Sequence, residues 1–514
     1  MQNGVASRIS LNEINMNIQS FLEHHGIVRN PFAEEDAQTD PVFKEHCIRN
    51  AYHPIWDKVY GDPTEPSTSI IFGPKGSGKT AMRLQIDRHL AKYNDENPGK
   101  RVFVIHYDDF NPFLDHFSER LSRRVNKKPE KVLDAWRLWD HVDSILCIGV
   151  TDLVDRILDG NSDSKRQKLD DASIRSLERT SSRDLLLLAT CYDQSTDSSF
   201  QDRWNSLRKH LQYTNWQTKI PFYGAICWSV LSVFFVFWLV MRPVAEGDTR
   251  SLSTLWLLPI LLLIGWAPHL IRMFKCQTAA MGIHKHMRVG KRETSSIRKL
   301  LEAFPPGELA SQPLPRFDRT DDRYELLNKF QGILNHLGYT GIIVLMDRVD
   351  EPHMTGGKPE RMQKFVWPLL DNKLLKHPGM GFKMMLPQEL HREIERETRE
   401  FHERARLDKQ NVIPAFQWTG EALYDVTRSR MIACAHEGKS PEPKDLFEDD
   451  LSYQRMLSAF QSLRVPRHLF RFLYRVLVDH CNRHTDSQPQ YKIKSETFET
   501  VLAVYGRDND PTFQ

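Results

Sequence analysis

Cysteine is scarce in this chain, and its spacing excludes the usual paired or metal-binding patterns. Seven cysteines stand among 514 residues, the number is odd, and no two form a CxxC pair. A disulfide framework or a zinc site is therefore not expected, and the pattern favours a reducing cytosolic environment for most of the chain. The first 25 residues also lack an apolar segment behind a basic flank, so we expect no cleavable signal peptide.

The chain also lacks a strong excess of charge of either sign. Its 70 basic and 67 acidic side chains leave a formal net charge of +3. This balance excludes a histone-like polycation and an acidic tail protein. A hydrophobic content of 40% and a charged content of 27% are typical of a soluble globular protein. The mean hydropathy of −0.50 argues against a polytopic membrane protein.

Two apolar runs depart from this average. Residues 220–241 carry no formal charge, and residues 251–271 contain only His269 as an ionisable side chain. At about 1.5 Å per residue, each run spans about 30 Å, which matches the hydrocarbon core of a bilayer. A buried pair of core helices is the alternative, but two such runs separated by so short a loop are hard to bury. The sequence therefore predicts a transmembrane hairpin.

The flanks of the hairpin predict its orientation. Basic residues precede the first run and follow the second, whereas the loop between the runs has balanced charges. The positive-inside rule then places both flanks, both termini and the rest of the chain in the cytoplasm, with two spans in the cell membrane. The same flanks suit anionic lipid headgroups. These residues are Arg203, Arg208, Lys209 and Lys219 before the hairpin, and Arg272, Lys275, Lys285, Arg288, Lys291 and Arg292 after it.

A glycine-rich motif, GPKGSGKT, matches the phosphate-binding pattern GxxxxGK[ST] in full. It follows the strand-like TSIIF and precedes a helical segment, which is the context that this motif requires. Its backbone N–H groups and the helix N-terminus suit a phosphate group. Lys79 would neutralise β- and γ-phosphate oxygens, and the Thr80 hydroxyl would bind Mg²⁺. The expected nucleotide-binding residues are Gly73, Pro74, Lys75, Gly76, Ser77, Gly78, Lys79, Thr80 and Ala81, with ATP and Mg²⁺ as cofactors.

A second motif supplies carboxylates. The apolar run 342–346 is typical of a buried parallel strand, and it ends at Asp347. We interpret Asp347 as the Walker B acid that helps to hold Mg²⁺, although a capping cluster at a strand end is the alternative. Asp350 or Glu351 would act as the general base, and the choice between them stays open.

These motifs resemble ASCE-type P-loop ATPases, the division that includes AAA+, STAND and KAP proteins. MDRVDE is similar to the acidic element of KAP and STAND proteins, and KAP proteins also insert transmembrane helices between their two motifs, as this chain does between Thr80 and Asp347. The resemblance implies a doubly wound parallel sheet with strand order 5-1-4-3-2 and a C-terminal helical lid. AAA+ proteins usually have Glu directly after the Walker B acid, whereas this chain has Arg348 in that position.

Further segments complete the expected α/β fold. Residues 101–110, 381–390 and 411–418 read as additional strands, with a helix near 358–376. Asp108 and Asp109 then lie at a strand end, where a purely structural role is favoured. The resemblance makes Gln388 a sensor of the γ-phosphate, although a surface glutamine is a close alternative.

The C-terminal part reads as helical, with Pro466 at a helix start. In AAA+ lids an arginine at this position reaches the γ-phosphate, so the resemblance makes Arg467 a catalytic candidate. A solvated basic helix is the alternative, and an arginine from a neighbouring protomer could serve instead. An amphipathic helix is also expected near 9–24, at the start of an N-terminal linker.

We divide the chain into seven segments. They are an N-terminal helix and linker (1–65), the first half of the nucleotide domain (66–130), a helical insertion (131–215), the transmembrane hairpin (216–275), a basic and proline-rich return linker (276–318), the second half of the nucleotide domain (319–425) and the helical lid (426–514).

The predicted function is a membrane-anchored, cytoplasm-facing ATPase that drives or gates a conformational change. The alternative is a non-hydrolysing nucleotide switch or a membrane scaffold. A GTPase is disfavoured because the nearest text to the NKxD guanine motif, Asp371-Asn372-Lys373-Leu374, lacks the final Asp. Expected partners are the lipid bilayer and either a second copy of the chain or another membrane protein. A nucleic-acid partner has little support from the balanced charge, although the lid is rich in arginine.

Overall fold

The computed structural model describes residues 15–47, 52–158, 169–196, 199–214, 216–245 and 256–508. Part of the helix expected near 9–24 and the first residues of the second apolar run lie outside these ranges. The described part is an α/β structure with mostly helical content and one five-stranded parallel sheet. The α/β class expected from the sequence is therefore confirmed.

The five strands of the described residues are β1 (Ser69–Gly73), β2 (Arg101–Tyr107), β3 (Tyr339–Met346), β4 (Met380–Pro387) and β5 (Asn411–Ile413). Their order across the sheet is β2-β3-β4-β1-β5, which reads 5-1-4-3-2 when counted from the β5 edge. Strand β1 pairs in parallel with β4 and with β5, and Gly73 lies opposite Pro387. Strands β1 and β4 are buried along their whole length, as expected of parallel strands covered on both faces.

The helices in the first third of the chain are α1 (Ile18–His24), α2 (Pro41–Glu45), α3 (Trp56–Tyr60), α4 (Lys79–Glu96), α5 (Asn111–Glu119), α6 (Arg123–Asn126), α7 (Pro129–Asp134) and α8 (Leu138–Leu158). The next are α9 (Asp171–Arg175), α10 (Arg179–Tyr192), α11 (Phe200–His210), α12 (Ile220–Ala245), α13 (Leu257–His286), α14 (Thr294–Leu301), α15 (Pro306–Ala310) and α16 (Thr320–His336). The last are α17 (Pro359–Val366), α18 (Asn372–Leu375), α19 (Gln388–Glu395), α20 (Arg399–Ala405), α21 (Gly420–Ala433), α22 (Tyr453–Leu463), α23 (Pro466–Arg483) and α24 (Ser495–Asp508).

Three expected strands end earlier than the sequence predicted. The strand expected over 101–110 ends at Tyr107, shortly before helix α5 begins. The strand expected over 381–390 ends at Pro387, because Gln388 already starts α19. The strand expected over 411–418 ends at Ile413, where Pro414 follows without an N–H group to donate. Strand β3, by contrast, begins at Tyr339 and is longer than the apolar run itself.

Two expected helices also differ. The helix predicted near 358–376 is broken into α17, a 3-10 turn over Trp367–Leu369 and α18. Pro368 lacks the N–H group that a continuous helix would use there. At the N-terminus the described helix begins only at Ile18, with Asn17 as its N-cap, since the Asn17 side chain accepts a hydrogen bond from Gln19 N at 2.9 Å.

The chain forms two compact units. The first unit takes in the described residues of 1–96, 345–349 and 381–514. The second unit takes in the described residues of 97–344 and 350–380.

The first unit contains the segment predicted as the helical lid (426–514), whose described part holds the second half of α21 together with α22, α23 and α24. Helix α23 begins at Pro466, as the sequence predicted, and buries one apolar face. The N-terminal segment packs on this lid, because Arg430 of α21 donates to Pro31 O at 2.8 Å and pairs with the buried Asp40 carboxylate. Val28 N also donates to Cys434 O at 2.7 Å. The linker and the lid therefore form one packed layer.

The second unit is organised around helix α8, whose buried acidic residues receive arginines from later segments. Asp143 and Arg323 are both fully buried, and their closest ion-pair distance is 3.2 Å. Asp140 accepts from Arg288 at 2.6 Å. A buried charge is tolerated only when it is paired, so these contacts hold the segment after α13 and the start of α16 against α8.

Helices α12 and α13 belong to the second unit and are long and apolar enough to cross a membrane, judged by length and composition. They pack along each other, and Trp228 Nε1 of α12 donates to Leu261 O of α13 at 2.8 Å. Gly265 makes room for the Trp228 ring, because a Cβ there would lie 2.1 Å from that ring. In the most apolar 18 residues of the first helix 17% are buried within the chain, and in those of the second helix none is. This exposure differs from the buried core pair that was the alternative.

Candidate functional site

The glycine-rich loop of the first unit connects β1 to α4. Gly76 and Gly78 adopt left-handed backbone angles, with φ values of 84° and 95°, which residues with a Cβ rarely adopt. Helix α4 starts at Lys79, and its first N–H groups have no partner within the helix because no earlier helical turn exists. The tight turn and the helix N-terminus together give the arrangement that binds phosphate groups in proteins.

The Lys79 ammonium lies against the loop. Its Nζ donates to Gly73 O at 2.7 Å and to Pro74 O at 2.9 Å. The cation is therefore held at the start of the loop, within the same turn of chain that would surround a phosphate. The predicted contact of Lys79 with phosphate oxygens stays a prediction.

Thr80 and Asp347 meet directly, although they are 267 residues apart in the chain. Thr80 Oγ1 donates to Asp347 Oδ2 at 2.9 Å. Asp347 follows the end of β3, and its side chain is only 4% exposed. The two residues predicted to hold Mg²⁺ are thus brought together.

Arg83 shares the Asp347 carboxylate and was not predicted. Its Nε lies 3.4 Å from Asp347 Oδ2, and both side chains are almost fully buried. Arg83 stands one helical turn after Thr80, so both face the same strand end. That spacing is the signal that could have identified it.

Burial raises the pKa of the Asp347 carboxyl above its ordinary value, and four neighbours, the last of them Lys79, act against this effect. The largest opposing effect comes from the Arg83 charge, followed by the Thr80 hydroxyl and by the Arg348 N–H group, which donates to Asp347 Oδ1 at 2.9 Å. Arg348 itself has a φ of 62°, a left-handed conformation that costs about 1 kcal/mol or more for a residue with a side chain. The chain is thus strained directly after the acid.

Thr80 and Asp347 offer a hydroxyl and a carboxylate oxygen, which are ligand types that Mg²⁺ prefers. Among the described residues, no group of three or more His, Cys, Asp or Glu side chains could hold a metal ion. Mg²⁺ at phosphate sites needs only one or two protein oxygens, because phosphate and water oxygens complete its octahedral coordination. The Thr80 hydroxyl and the Asp347 carboxylate supply such a pair, and Lys79 and the loop lie beside them for the phosphates.

Gln388 follows the end of β4, which pairs with β1 at the level of Gly73. Its Nε2 donates to Pro414 O at 2.8 Å, and its Oε1 is buried without a hydrogen-bond partner in the described part of the chain. The structure therefore places Gln388 one strand away from the glycine-rich loop. Its role as a sensor stays a prediction.

Arg467 lies against the loop. Its backbone N–H donates to Gly76 O at 3.4 Å, and a Cβ added at Gly76 would come within 2.7 Å of the Arg467 Cβ. The Arg467 Nε lies 3.9 Å from a Glu35 carboxylate oxygen, and Arg471 binds the other oxygen of Glu35 at 2.5 Å. The start of the lid helix is thus brought to the loop, whereas contact of Arg467 with a nucleotide stays a prediction.

An aromatic wall also borders the loop and was missed at the sequence level. Trp418 Nε1 donates to Ser77 O at 2.7 Å, and Phe416 N donates to Phe72 O at 2.7 Å. His53 stacks on Phe416 with ring centroids 4.1 Å apart, and burial lowers the pKa of His53 to about 4. The ring is therefore neutral at physiological pH and acts as an apolar surface. His53 lies far in sequence from Phe416 and Trp418, so no local sequence pattern identifies the aromatic wall.

The remaining predicted residues lie in the second unit. Asp350 is half-buried and Glu351 is exposed, in the turn that follows the Asp347 segment. Asp108 and Asp109 follow β2, and Asp109 Oδ1 accepts from Asn111 N at 3.2 Å, which is the structural role favoured from the sequence. The assignment of Asp350 or Glu351 as the base stays a prediction.

Comparison of this chain with family models, with curated proteins and with solved structures gives no match.

Proposed function

We propose that this chain is a membrane-anchored P-loop ATPase that binds and hydrolyses ATP with Mg²⁺ to drive or gate a conformational change. One observation carries the proposal. A left-handed glycine loop leads into a helix that begins with Lys79 and Thr80, and Thr80 is hydrogen-bonded to the buried Asp347 at the end of a different strand. A chance match to the loop pattern would not bring a buried carboxylate to Thr80.

The roles of the residues follow from this geometry. The loop amides and Lys79 hold the β- and γ-phosphates, and Thr80 and Asp347 hold Mg²⁺, which neutralises the charge that develops during phosphoryl transfer. Arg467 stabilises the γ-phosphate from the lid side. Asp350 or Glu351 accepts a proton from the attacking water.

The fold supports the same proposal at a finer level. A parallel sheet with β1 between β4 and β5 suits a doubly wound P-loop NTPase domain with α21 to α24 as its lid. In this proposal α12 and α13 cross the cell membrane as a two-span hairpin, and the basic flanks keep the nucleotide domain and both termini in the cytoplasm. A second copy of the chain or another membrane protein is the proposed partner.

The lid arginines give little support to a nucleic-acid partner. Arg471 binds Glu35, and Arg483 binds Asp479 at 2.8 Å. These two pairs leave fewer free donors in the lid for the phosphate contacts on which nucleic-acid affinity depends.

Binding of a fluorescent ATP analogue tests the proposed site. Lys79→Ala removes the cation beside the loop, so we expect binding of the Mg²⁺ complex to fall below detection. Lys92→Ala is the matched control, because Lys92 lies on the same helix and is 73% exposed. Equal affinity of the Lys79→Ala and Lys92→Ala variants would refute the site.

A non-hydrolysing nucleotide switch is the second candidate function. It is favoured by Arg348, which occupies the place where AAA+ proteins usually carry a catalytic Glu and which has a strained backbone. In that case ATP binding alone would order the lid. Single-turnover phosphate release separates the two functions: for an ATPase, either Asp350→Asn or Glu351→Gln abolishes release, whereas for a switch the wild-type chain releases none above buffer.

A further inference from the structure

An open groove lies between α13 and α14 in the second unit, at the point where the second apolar helix gains its first basic residues. Its volume is about 660 Å³. Its lining includes Leu270, Met273 and Phe274 together with two cations, Lys275 and Arg298. We call this feature the basal groove.

One side of the basal groove is an apolar surface that continues the exposed face of α13. Leu270, Met273 and Phe274 are 41%, 38% and 67% exposed. Met273 and Phe274 follow Leu270 by three and four residues, so both lie on the same side of the helix as Leu270. Exposed apolar side chains in a row favour contact with a hydrocarbon chain over contact with water.

The other side of the groove is positively charged. Lys275 is exposed and makes no ion pair within the described part of the chain. Arg298 is one-third exposed, and its Nε lies 3.5 Å from a Glu302 carboxylate oxygen. The guanidinium fork and the ammonium group offer several donors to one phosphate group.

Part-buried hydrogen bonds from one arginine hold the two helices of the groove together. Arg272 on α13 donates to the carbonyl of Glu302, at the end of α14, and to Phe304 O at 3.1 Å. The same guanidinium donates to Thr218 O at 2.6 Å, at the start of the hairpin. Helix α14 therefore cannot move away from α13 without breaking these bonds.

We propose that the basal groove binds one anionic phospholipid. Its phosphate lies between Lys275 and Arg298, and an acyl chain follows Leu270 and Phe274 along α13. The proposal rests on the membrane attachment in the proposed function, since that attachment places the groove at headgroup level. The apolar wall is what favours a lipid over a soluble phosphate.

The test measures lipid preference around the full chain in bilayer discs of phosphatidylcholine. The discs contain a small fraction of dansyl-labelled phosphatidylglycerol or dansyl-labelled phosphatidylcholine, and energy transfer from the hairpin tryptophans reports each lipid. A cation beside an anionic headgroup is worth about 1 kcal/mol, or about a five-fold preference. We therefore expect the wild-type chain to favour the anionic lipid at least about five-fold.

Two double variants locate the effect. Lys275→Gln with Arg298→Gln should bring the preference close to one. Lys127→Gln with Lys128→Gln removes the same charge from exposed positions outside the groove and outside the basic flanks of the hairpin, and should keep the preference. An equal loss in both doubles, or an unchanged preference in the groove double, overturns the proposal.

Two further outcomes separate the possible sources of failure. Excess inorganic phosphate should leave the preference unchanged, and a loss would make soluble phosphate the ligand instead. A chain that enters the discs without lipid preference overturns the groove alone. A chain that shows no transfer to either lipid has not entered the bilayer, and this overturns the membrane attachment as well.

Discussion

At the scale of single residues, the account depends on one buried carboxylate and its three neighbours. Asp347 has Arg83 and Thr80 on one oxygen and the Arg348 N–H on the other. Burial raises the pKa of this acid, and the neighbouring donors act against that effect by stabilising its charge. A metal ion beside Thr80 would act in the same direction. The first unit therefore positions an acid whose charge the proposed Mg²⁺ would stabilise further.

A buried lysine in the same unit gives a pH-dependent prediction. Lys383 on β4 is 1% exposed, and burial lowers its pKa to about 8 from an ordinary 10.5. This difference corresponds to a cost of about 3 kcal/mol for folding with the charged form. Below pH 8 Lys383 is protonated in both the folded and the unfolded state, so the full cost of burying its charge applies. From pH 8 to 10.5 the unfolded state binds more protons, so stability rises with pH.

Thermal melting followed by tryptophan fluorescence checks this sign. Lys383→Met should melt several degrees above the wild-type chain at pH 7, and the difference should disappear as the pH rises past 10. Lys92→Met is the matched control and should not change the melting temperature. An increase in melting temperature that is the same at every pH would show that packing, and not the charge of Lys383, is responsible.

Sequence patterns predicted the residues whose roles depend on a local motif. Gly76, Gly78, Lys79 and Thr80 stand in a contiguous pattern, and Asp347 follows an apolar strand, so each could be identified alone. Trp418 could not, because its bond to Ser77 O joins residues 341 positions apart. Such contacts depend on how elements pack, which one sequence without a structure does not specify.

At the scale of elements, β3 was predictable from a continuous apolar run, and β2 from its β-branched and aromatic residues. The ends of the strands were harder to predict, because the backbone chemistry of single residues determines where a strand stops. Pro414 stops β5 by removing a donor, and Gln388 starts a helix where the sequence suggested further strand. The break of the 358–376 helix at Pro368 has the same cause.

The lid helix α23 carries a prediction about nucleotide discrimination. The N-terminus of α23 is held at Gly76, because the Arg467 backbone N–H donates to Gly76 O at 3.4 Å. Hydrogen bonds to charged groups are worth about 1.5 to 3 kcal/mol. We therefore expect Arg467→Gln to weaken ATP binding about ten-fold and ADP binding much less.

Competition between ATP and ADP for a labelled analogue measures this difference. Arg471→Gln is the control, since Arg471 lies one turn further along α23 and shares Glu35 with Arg467. It should leave the ratio of the two affinities unchanged. An equal loss for ATP and ADP in the Arg467→Gln variant would make the arginine a structural residue of the lid.

At the scale of the whole molecule, each unit has its own organisation. The first unit contains the glycine-rich loop, Asp347 and the lid, and the second contains α12, α13 and the buried pair of Asp143 and Arg323. The sequence predicted the apolar hairpin from its length and composition. The sequence did not predict the pair of Asp143 and Arg323, because these residues stand 180 positions apart and no sequence motif marks either of them.

Phosphate release by the full chain in lipid discs tests the central claim most directly. Mg²⁺ and ATP are supplied in solution, and the wild-type chain is compared with Lys79→Ala, Asp347→Asn and the control Lys92→Ala. The account predicts release by the wild-type and Lys92→Ala chains, and none above buffer by the other two. Release that is equal in all four, or release by none of them, would contradict it.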